Sequence, residues 1–276
     1  MNRVITAFKE HKEFERGKYW DSNNLYLRKD FCTPPHYADT VEIIIDRGAS
    51  GDIHIGGAHY EFSGSGAYFI APATVHSMQY KQGGYVKVLK IAVSQLKALL
   101  NIDAVLGADG IGMDDLSHII PESANVDTLA ALFEGDASLC EILTAILAFF
   151  GVLSHAARPD VLGISGRQNA DLRRLIEWTE QNYTTKPSLT EAAEVMGYNK
   201  NYFCRLFKEA TGVTYLNYLN VLRIDRACAE LKKGMAVSEV CYLCGFESTS
   251  YFTKLFNSTV GMTPKKYISM IDGKNK

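Results

Sequence analysis

The segment AVSEVCYLCGFESTSYFTKLFNSTVGMTPKKY, residues 236–267, contains the pattern that decides the fold of this chain. Apolar residues recur in it at the three- and four-residue spacing of amphipathic helices. Gly245 separates two such stretches and can adopt the left-handed conformation that ends one helix before the next begins. Two short helices joined by a glycine-containing turn form a helix-turn-helix. The segment is therefore predicted to contain such a unit, followed by a helix that starts near Thr263-Pro264.

The same pattern occurs about 48 residues earlier in the chain. Ser188 and Glu191 form a capping box that predicts a helix start near Leu189, and Asn199 is suited to cap a second helix over Lys200–Ala210. In the first half of the unit Leu189, Glu191, Ala193, Gly197 and Tyr198 correspond to Val237, Glu239, Cys241, Gly245 and Phe246. After one inserted residue, Tyr202, Phe203, Phe207, Gly212, Thr214 and Tyr218 correspond to Tyr251, Phe252, Phe256, Gly261, Thr263 and Tyr267. The repeat indicates two related modules, in which the aromatic residues are expected to be core.

Here the sequence resembles the AraC/XylS family of bacterial transcription regulators. The resemblance rests on GYNKNYFCRLFKEATGVT, residues 197–214, and on the 236–267 segment, and it covers roughly residues 168–270. It implies a multidomain fold, in which an N-terminal all-β cupin-like barrel and dimerisation helices precede an all-α DNA-binding domain. That C-terminal domain, residues 168–276, would hold two helix-turn-helix units joined by a long helix. The resemblance also implies that the protein is a transcription regulator and not an enzyme, with activation as the favoured role. Its implied partners are promoter DNA, a small-molecule effector of unknown identity and RNA polymerase.

The N-terminal half has its own pattern. Residues 40–91 contain short apolar runs such as VEIII and YVKVLKI, and eight glycines fall between Gly48 and Gly84, which is typical of an all-β barrel or sandwich. We expect an effector-binding and dimerisation domain over residues 1–160, with its barrel at about 20–92 and helices at about 93–157. Ser138–His155 is apolar on more than one face and is expected to form a homodimer. Residues 158–167 are predicted to be a linker.

Charge and composition limit the possible classes. Residues 165–276 hold 16 Lys/Arg and 11 Asp/Glu, whereas residues 1–164 hold 13 and 20, so only the C-terminal part is expected to meet a polyanion. The N-terminus lacks the apolar stretch of a secretory signal, and the longest apolar tract is 12 residues, well below the roughly 20 that span a bilayer. The six cysteines are scattered. We therefore expect a cytoplasmic protein with reduced thiols and no membrane association.

The second helix of each unit is expected to enter a major groove of DNA. Outward-facing positions and similarity to the family together give the candidate DNA-binding residues, which are Lys200, Asn201, Cys204, Arg205, Lys208, Thr249, Ser250, Thr253, Lys254, Lys265 and Lys266. Arg205 can bond guanine through two donors, and Asn201 can read adenine. The short side chains of the second unit favour phosphate contacts and orientation over base readout.

A single helix is predicted over Thr214–Leu231, about 27 Å long at 1.5 Å per residue. A stiff spacer near the roughly 34 Å repeat of DNA lets both reading helices enter successive major grooves on one face of the duplex. The family usually has proline at the position of Tyr215, which leaves the start of this helix less well defined.

The barrel offers only a partial set of metal ligands. His36, Glu42 and His76 lie at roughly suitable positions for a cupin-like metal, but Ala38 stands where the second histidine is usual. We therefore expect no metal and no cofactor.

Plausible effector-binding residues are His36, Tyr68, His76 and Tyr80, whereas His54 should face away from Ile53 and Ile55. Cys241 and Cys244 are interpreted as packing residues. Two alternatives stay open, a metal-dependent cupin enzyme with a helical accessory domain and a ligand-insensitive regulator with a filled barrel.

Overall fold

The computed structural model describes residues 20–25, 32–92, 118–155 and 166–272. These residues divide into a β-rich unit of residues 20–25, 32, 37–92 and 118–155, and a helical unit of residues 166–272, with which residues 33–36 are grouped. Residues 93–117 of the predicted helical region and residues 158–165 of the predicted linker lie outside the described residues. Residues 166 and 167 of that linker are helical, so the first helix of the helical unit begins two residues before the predicted domain boundary.

The strands of the chain are β1 (Trp20–Leu25), β2 (Cys32–His36), β3 (Val41–Ile55), β4 (Ala58–Ser63), β5 (Ala67–Ile70) and β6 (His76–Ile91). In the β-rich unit, strands follow the order β1-β6-β3-β4, and β5 pairs with β3. All these pairings are antiparallel. The long strands β3 and β6 form the centre of the sheet, with Ile43 opposite Leu89 and Ile53 opposite Met78. A register shift between Ser50 and Gly51 interrupts the pairing of the two strands.

The sheet is buried on both faces. One face packs its alternate residues, such as Ile43, Phe69 and Leu89, against helices α1 (Val126–Glu134) and α2 (Leu139–His155). The other face carries a separate cluster that includes Ile44, Ile53, Phe62, Tyr68, Met78, Tyr80 and Val88. Such burial of both faces explains why β3 contains the continuous apolar run Ile43–Ile45 and not only an alternation.

The helical unit contains α3 (Gly166–Asn182), α4 (Leu189–Met196), α5 (Lys200–Thr211), α6 (Tyr215–Lys232), α7 (Val237–Leu243), α8 (Thr249–Val260) and α9 (Pro264–Asp272). Helices α4 and α5 form a first helix pair, and α7 and α8 form a second. The long helix α6 connects them and agrees with the predicted helix to within one residue at each end. Thr214 caps α6 by accepting a hydrogen bond from the Asn217 amide, so the helix starts well without the proline that the family usually has.

Helix α6 packs its two halves against different aromatic clusters. Its first half places Tyr215 5.5 Å from the Phe203 ring and 5.6 Å from the Phe207 ring. Its second half contributes Ile224, Ala227, Cys228 and Leu231 to the core of the second pair, around Phe252, Phe256 and Tyr267. The connecting helix therefore belongs to both halves of the unit. No helix in the part of the chain that the structure describes combines the length and the apolar character needed to cross a bilayer.

Candidate functional site

Local capping fixes the geometry of the first helix pair. The Ser188 hydroxyl accepts a hydrogen bond from the Glu191 amide, and the Glu191 carboxylate accepts one from the Ser188 amide at 2.8 Å. Hydrogen bonds from the Ser188 amide and from the Ser188 hydroxyl lower the pKa of the Glu191 carboxyl below its usual range, the contribution of the amide being the larger. Gly197 ends α4 with a φ of +73°, and the Asn199 side chain then caps α5. The turn therefore sets the angle at which α5 leaves the pair.

Helix α5 presents most of its predicted DNA-reading residues to solvent. Lys200, Asn201, Arg205 and Lys208 are exposed, while Phe203, Leu206 and Phe207 are buried on the opposite side. Cys204 is half-buried, so the expectation that its thiol would be exposed is wrong. The reason is its place one turn from Phe207 and next to Phe203, at the border of the buried stripe.

The Arg205 side chain lies over its own helix. Its guanidinium carbon is 5.5 Å from the centre of the Tyr202 ring, and its Nε is 4.0 Å from a carboxylate oxygen of Glu209. The side chains of Arg205 and Glu209 are each 67% exposed. Interactions this exposed are weak, so the guanidinium can leave them for a stronger bidentate partner.

The second helix pair presents a surface of different chemistry. On α8 the predicted contact residues Thr249, Ser250 and Lys254 are exposed, and Thr253 is half-buried. The repeat predicts Tyr251 as core because it corresponds to Tyr202, but its side chain is 51% exposed. Tyr251 instead packs at the edge of Phe246, with ring centres 6.2 Å apart, and its hydroxyl accepts a hydrogen bond from the Asn220 amide group.

The two predicted phosphate-binding lysines lie at the start of α9. Lys265 and Lys266 are exposed in the first turn after Pro264, and the Lys266 amide donates to the Thr263 hydroxyl at 3.4 Å. A helix start offers unpaired amides and the positive end of the helix dipole. Two exposed ammonium groups lie beside these amides. Among the described residues of α7, α8 and α9, the start of α9 is therefore the most cationic helix end.

The face of the sheet that does not pack against α1 and α2, the inner face of the β-rich unit, contains buried polar groups among apolar side chains. Tyr68 and Tyr80 belong to the same buried cluster, and their hydroxyls donate to the carbonyls of Glu61 and Gly83 respectively. His76 is buried at the start of β6, with its Nε2 3.5 Å from a carboxylate oxygen of Glu42. His36, which is grouped with the helical unit, is half-buried at the end of β2, with its Nδ1 2.9 Å from the Pro34 carbonyl oxygen. His54 is half-buried on β3 between the fully buried Ile53 and Ile55, and its ring stacks on that of His59.

Sequence reasoning missed the cation of this cluster. Lys90 is 7% exposed, and its ammonium nitrogen is 3.2 Å from a carboxylate oxygen of Glu42, its direct cross-strand neighbour. The signal was present in the alternation of β6, where Lys90 falls on the same face as Val86 and Val88. Burying an ion pair inside an apolar cluster has a desolvation cost. Removing either partner strongly destabilises the folded protein, because the other charge is then buried without compensation.

The cysteines of the second helix pair are packing residues, as interpreted from the sequence. Cys241 and Cys244 are buried in the core around Phe252, together with Cys228 of α6. Burial raises the pKa of the Cys228 and Cys244 thiols to about 12. Thiols of this kind are poor nucleophiles and poor metal ligands at neutral pH.

Comparison with known protein families gives a match to a helix-turn-helix domain over residues 160–270. The transposon Tn10 TetD protein of Escherichia coli is 33% identical over 97 residues, which are 35% of this chain and 70% of that protein. The transcriptional activator RhaS of Mannheimia succiniciproducens is 26% identical over 239 residues, 84% of this chain and 88% of that protein.

Among solved structures, ToxT from Vibrio cholerae with bound unsaturated fatty acid matches with a TM-score of 0.48 and 16% identity, over 93% of this chain and 97% of that one. An AraC-type DNA-binding domain of a regulator from Chromobacterium violaceum matches with a TM-score of 0.37 and 22% identity, over 39% of this chain and 96% of that one.

Proposed function

The chain belongs to the AraC/XylS family of DNA-binding transcription regulators, and on this premise we propose that α5 and α8 are recognition helices of two helix-turn-helix units that enter adjacent major grooves of promoter DNA. The observation that carries the proposal is the exposed polar face of α5, on which Asn201 and Arg205 are one helical turn apart, opposite a fully buried Phe203 and Phe207. Base readout requires such a helix, held by its apolar side and free on its polar side.

The two recognition helices would contribute unequally. Helix α5 offers a guanidinium and an amide, the groups that bond guanine and adenine through two contacts each. Helix α8 offers Thr249, Ser250, Thr253 and Lys254, which suit single hydrogen bonds and phosphate contacts. Lys265 and Lys266 would add phosphate contacts beside α8. Most of the sequence information would therefore be read by the first unit.

Selection of duplexes from a random 40-bp pool by the purified full chain tests this proposal. We expect one enriched motif whose footprint covers two major-groove segments about 10 bp apart on one face of the duplex. Asn201→Ala should relax the preference in one segment only, while Gln181→Ala, which changes an exposed side chain of α3, should leave the motif unchanged. Absence of any enriched motif, or protection of a single groove segment, would overturn the proposal.

The β-rich unit is proposed to bind a small-molecule effector on the inner face of its sheet, in a cupin-like barrel. Support comes from the buried Glu42, His76 and Lys90, since a ligand site combines apolar walls with a few convergent polar groups. An effector that prefers one arrangement of the protein would shift the population that is competent to bind DNA, as in a ligand-dependent activator. Mass spectrometry of the intact protein under native conditions tests this directly. A retained molecule that changes the affinity of the protein for DNA supports effector binding. A protein that retains no molecule, and whose affinity for DNA does not change when cell extract is added, supports the ligand-insensitive alternative.

Helix α2 is proposed to join two copies of the chain. It carries one acidic residue, Glu141, and ends with His155, while its outer face presents Leu139 and Leu147, which are 40% and 39% exposed. A second copy would bury these leucines and double the number of DNA contacts through effective concentration. RNA polymerase is proposed as a further partner.

A further inference from the structure

The two helix pairs are connected by more than the backbone of α6. The turn that precedes the first pair, Tyr183–Thr185, and the turn inside the second pair, Gly245–Glu247, approach each other closely. A Cβ on Gly245 would lie 3.0 Å from the carbonyl oxygens of both Tyr183 and Thr184. Since Gly245 also has a φ of +83°, both the backbone conformation and the tight contact favour glycine at this position.

Arg223 lies at this junction, midway along α6. Its Nε donates a hydrogen bond of 2.8 Å to the Tyr183 carbonyl oxygen, which belongs to the first turn. Its guanidinium carbon is 5.7 Å from the centre of the Phe246 ring, which belongs to the second turn. One planar cation, carried by the connecting helix, therefore contacts both the turn that precedes the first pair and the turn inside the second pair.

The environment of Arg223 is unfavourable for a charge that only fills space. The residue is 8% exposed, and its Nη2 has no hydrogen-bond partner among the described residues. Burial lowers the pKa of the guanidinium, although it stays charged. A buried cation without an anionic partner stabilises a fold poorly, and an apolar side chain of similar length often replaces such a group without loss of stability. A role in orientation accounts better for its presence.

The outer edge of the same junction carries an ion pair. The Lys186 ammonium donates to a Glu247 carboxylate oxygen at 2.6 Å, and this bond lowers the pKa of Glu247. The side chains are 53% and 77% exposed, so the pair is weak and acts as a minor second contact.

We propose that Arg223 is a positioning residue that clamps the two helix pairs into one rigid body and thereby fixes the distance and rotation between the two DNA segments that they read. The inference rests on the proposed function for its DNA readout. One inserted base pair moves the second segment by about 3.4 Å and rotates it by about 35° about the duplex axis. A rigid reader loses affinity on such a duplex, and a reader with a loosened junction loses less.

The test compares the wild-type full chain with Arg223→Met on the selected duplex and on versions with one base pair inserted or removed between the two segments. We expect the wild type to bind the altered spacings about tenfold or more weakly, and Arg223→Met to show a penalty of about threefold or less. Its unfolding midpoint should stay within about 3 °C of that of the wild type. Lys232→Met removes the same charge from an exposed position of α6 and should keep the full spacing penalty.

Arg223→Lys provides a second variant that keeps the charge but loses the planar donor, and we expect it to relax the spacing as Arg223→Met does. Equal spacing penalties in the wild type and in a folded Arg223 variant overturn the clamp.

Residual dipolar couplings of backbone amides test the same claim without DNA, which separates failure of the clamp from failure of the proposed function. The couplings of the first and second helix pairs should fit one alignment tensor in the wild type and two different tensors in the Arg223 variants. A wild type that needs two tensors, or folded variants that need only one, would show that Arg223 does not hold the pairs together.

Discussion

Arg205→Ala separates base readout from phosphate binding in the first unit. A bidentate arginine–guanine contact contributes about 1–3 kcal/mol of discrimination, and 1.4 kcal/mol corresponds to about tenfold in affinity. On binding DNA, Arg205 gives up only its contact at 4.0 Å with Glu209 and its position over the Tyr202 ring. The Arg205 side chain is 67% exposed in these contacts. These are worth roughly 0.5 kcal/mol each, so they leave about 2 kcal/mol of a contact worth about 3 kcal/mol. We therefore expect the variant to bind its operator about 30-fold more weakly at fixed salt.

Lys266→Ala is the matched comparison, because the lysine is exposed at a helix start and is proposed to bind phosphate. It should weaken binding to all duplexes alike and reduce the slope of log affinity against log salt by about 0.9. Fluorescence anisotropy on the operator and on its single-base variants, repeated over several salt concentrations, measures both quantities. Arg205→Ala should flatten the preference at one base pair and leave the slope nearly unchanged.

Two results would refute this reasoning. If Arg205→Ala leaves affinity and selectivity untouched at fixed salt, α5 does not face the bases as proposed. If it weakens all duplexes equally and lowers the salt slope by about 0.9, the guanidinium contacts a phosphate and another residue reads the base.

Three further predictions concern assembly and stability. Leu147→Lys puts a charge on the exposed apolar face of α2 and should convert dimers to monomers in sedimentation, whereas an unchanged dimer would move the interface elsewhere. Tyr215→Phe removes the buried hydroxyl that lies 3.0 Å from the Thr179 hydroxyl and should lower the free energy of unfolding by about 1 kcal/mol in denaturant titrations; an unchanged value would mean that this bond adds nothing. The Glu191 carboxylate has a pKa below its ordinary 4.5, so its contribution to the cap is complete above that pH and is lost as the pH falls through the lowered value. Glu191→Gln should therefore reduce the acid dependence of the unfolding midpoint between pH 6 and pH 3, and an identical pH profile would exclude this role.

The helical unit was predictable where its signals are local. Ser188 and Asn199 cap helices that begin at the residues expected from the sequence, and α5 extends one residue past the predicted end at Ala210. Each of these features depends on hydrogen bonds within a few residues of chain, so the sequence alone contains enough information to place them.

Features that depend on distant contacts could not be predicted in the same way. Tyr202 is half-buried because the Gln168 side chain of α3 donates to its hydroxyl at 3.2 Å and the Tyr198 ring lies 5.0 Å away. The equivalent Tyr251 meets α6 through Asn220 and stays half-exposed. A repeat predicts equivalent backbone positions, but burial also depends on what packs outside the repeat, and that differs between the two copies.

The buried Glu42–Lys90 pair illustrates the same limit in the sheet. The two residues are 48 positions apart, and they meet only because the register of β3 with β6 places them directly opposite. A shift of one residue would turn Lys90 to the other face of the sheet, so the pair reports the register as much as it depends on it. The alternation of β6 identifies the face on which Lys90 lies, but only the pairing of the strands identifies its partner.

The asymmetry of the two proposed recognition helices and the proposed junction at Arg223 have a joint consequence for the operator. If α5 reads bases and α8 mainly contacts phosphates, base changes in the second segment should be tolerated while changes in its distance from the first should not. Helix α8 can hold phosphates only where the junction places it, because its short side chains make no bidentate base contact that could correct its position. Sequence information would then lie in one segment of the operator and distance information in the other. A protein of this design selects its site by one short motif and by the helical phase of the backbone beside it.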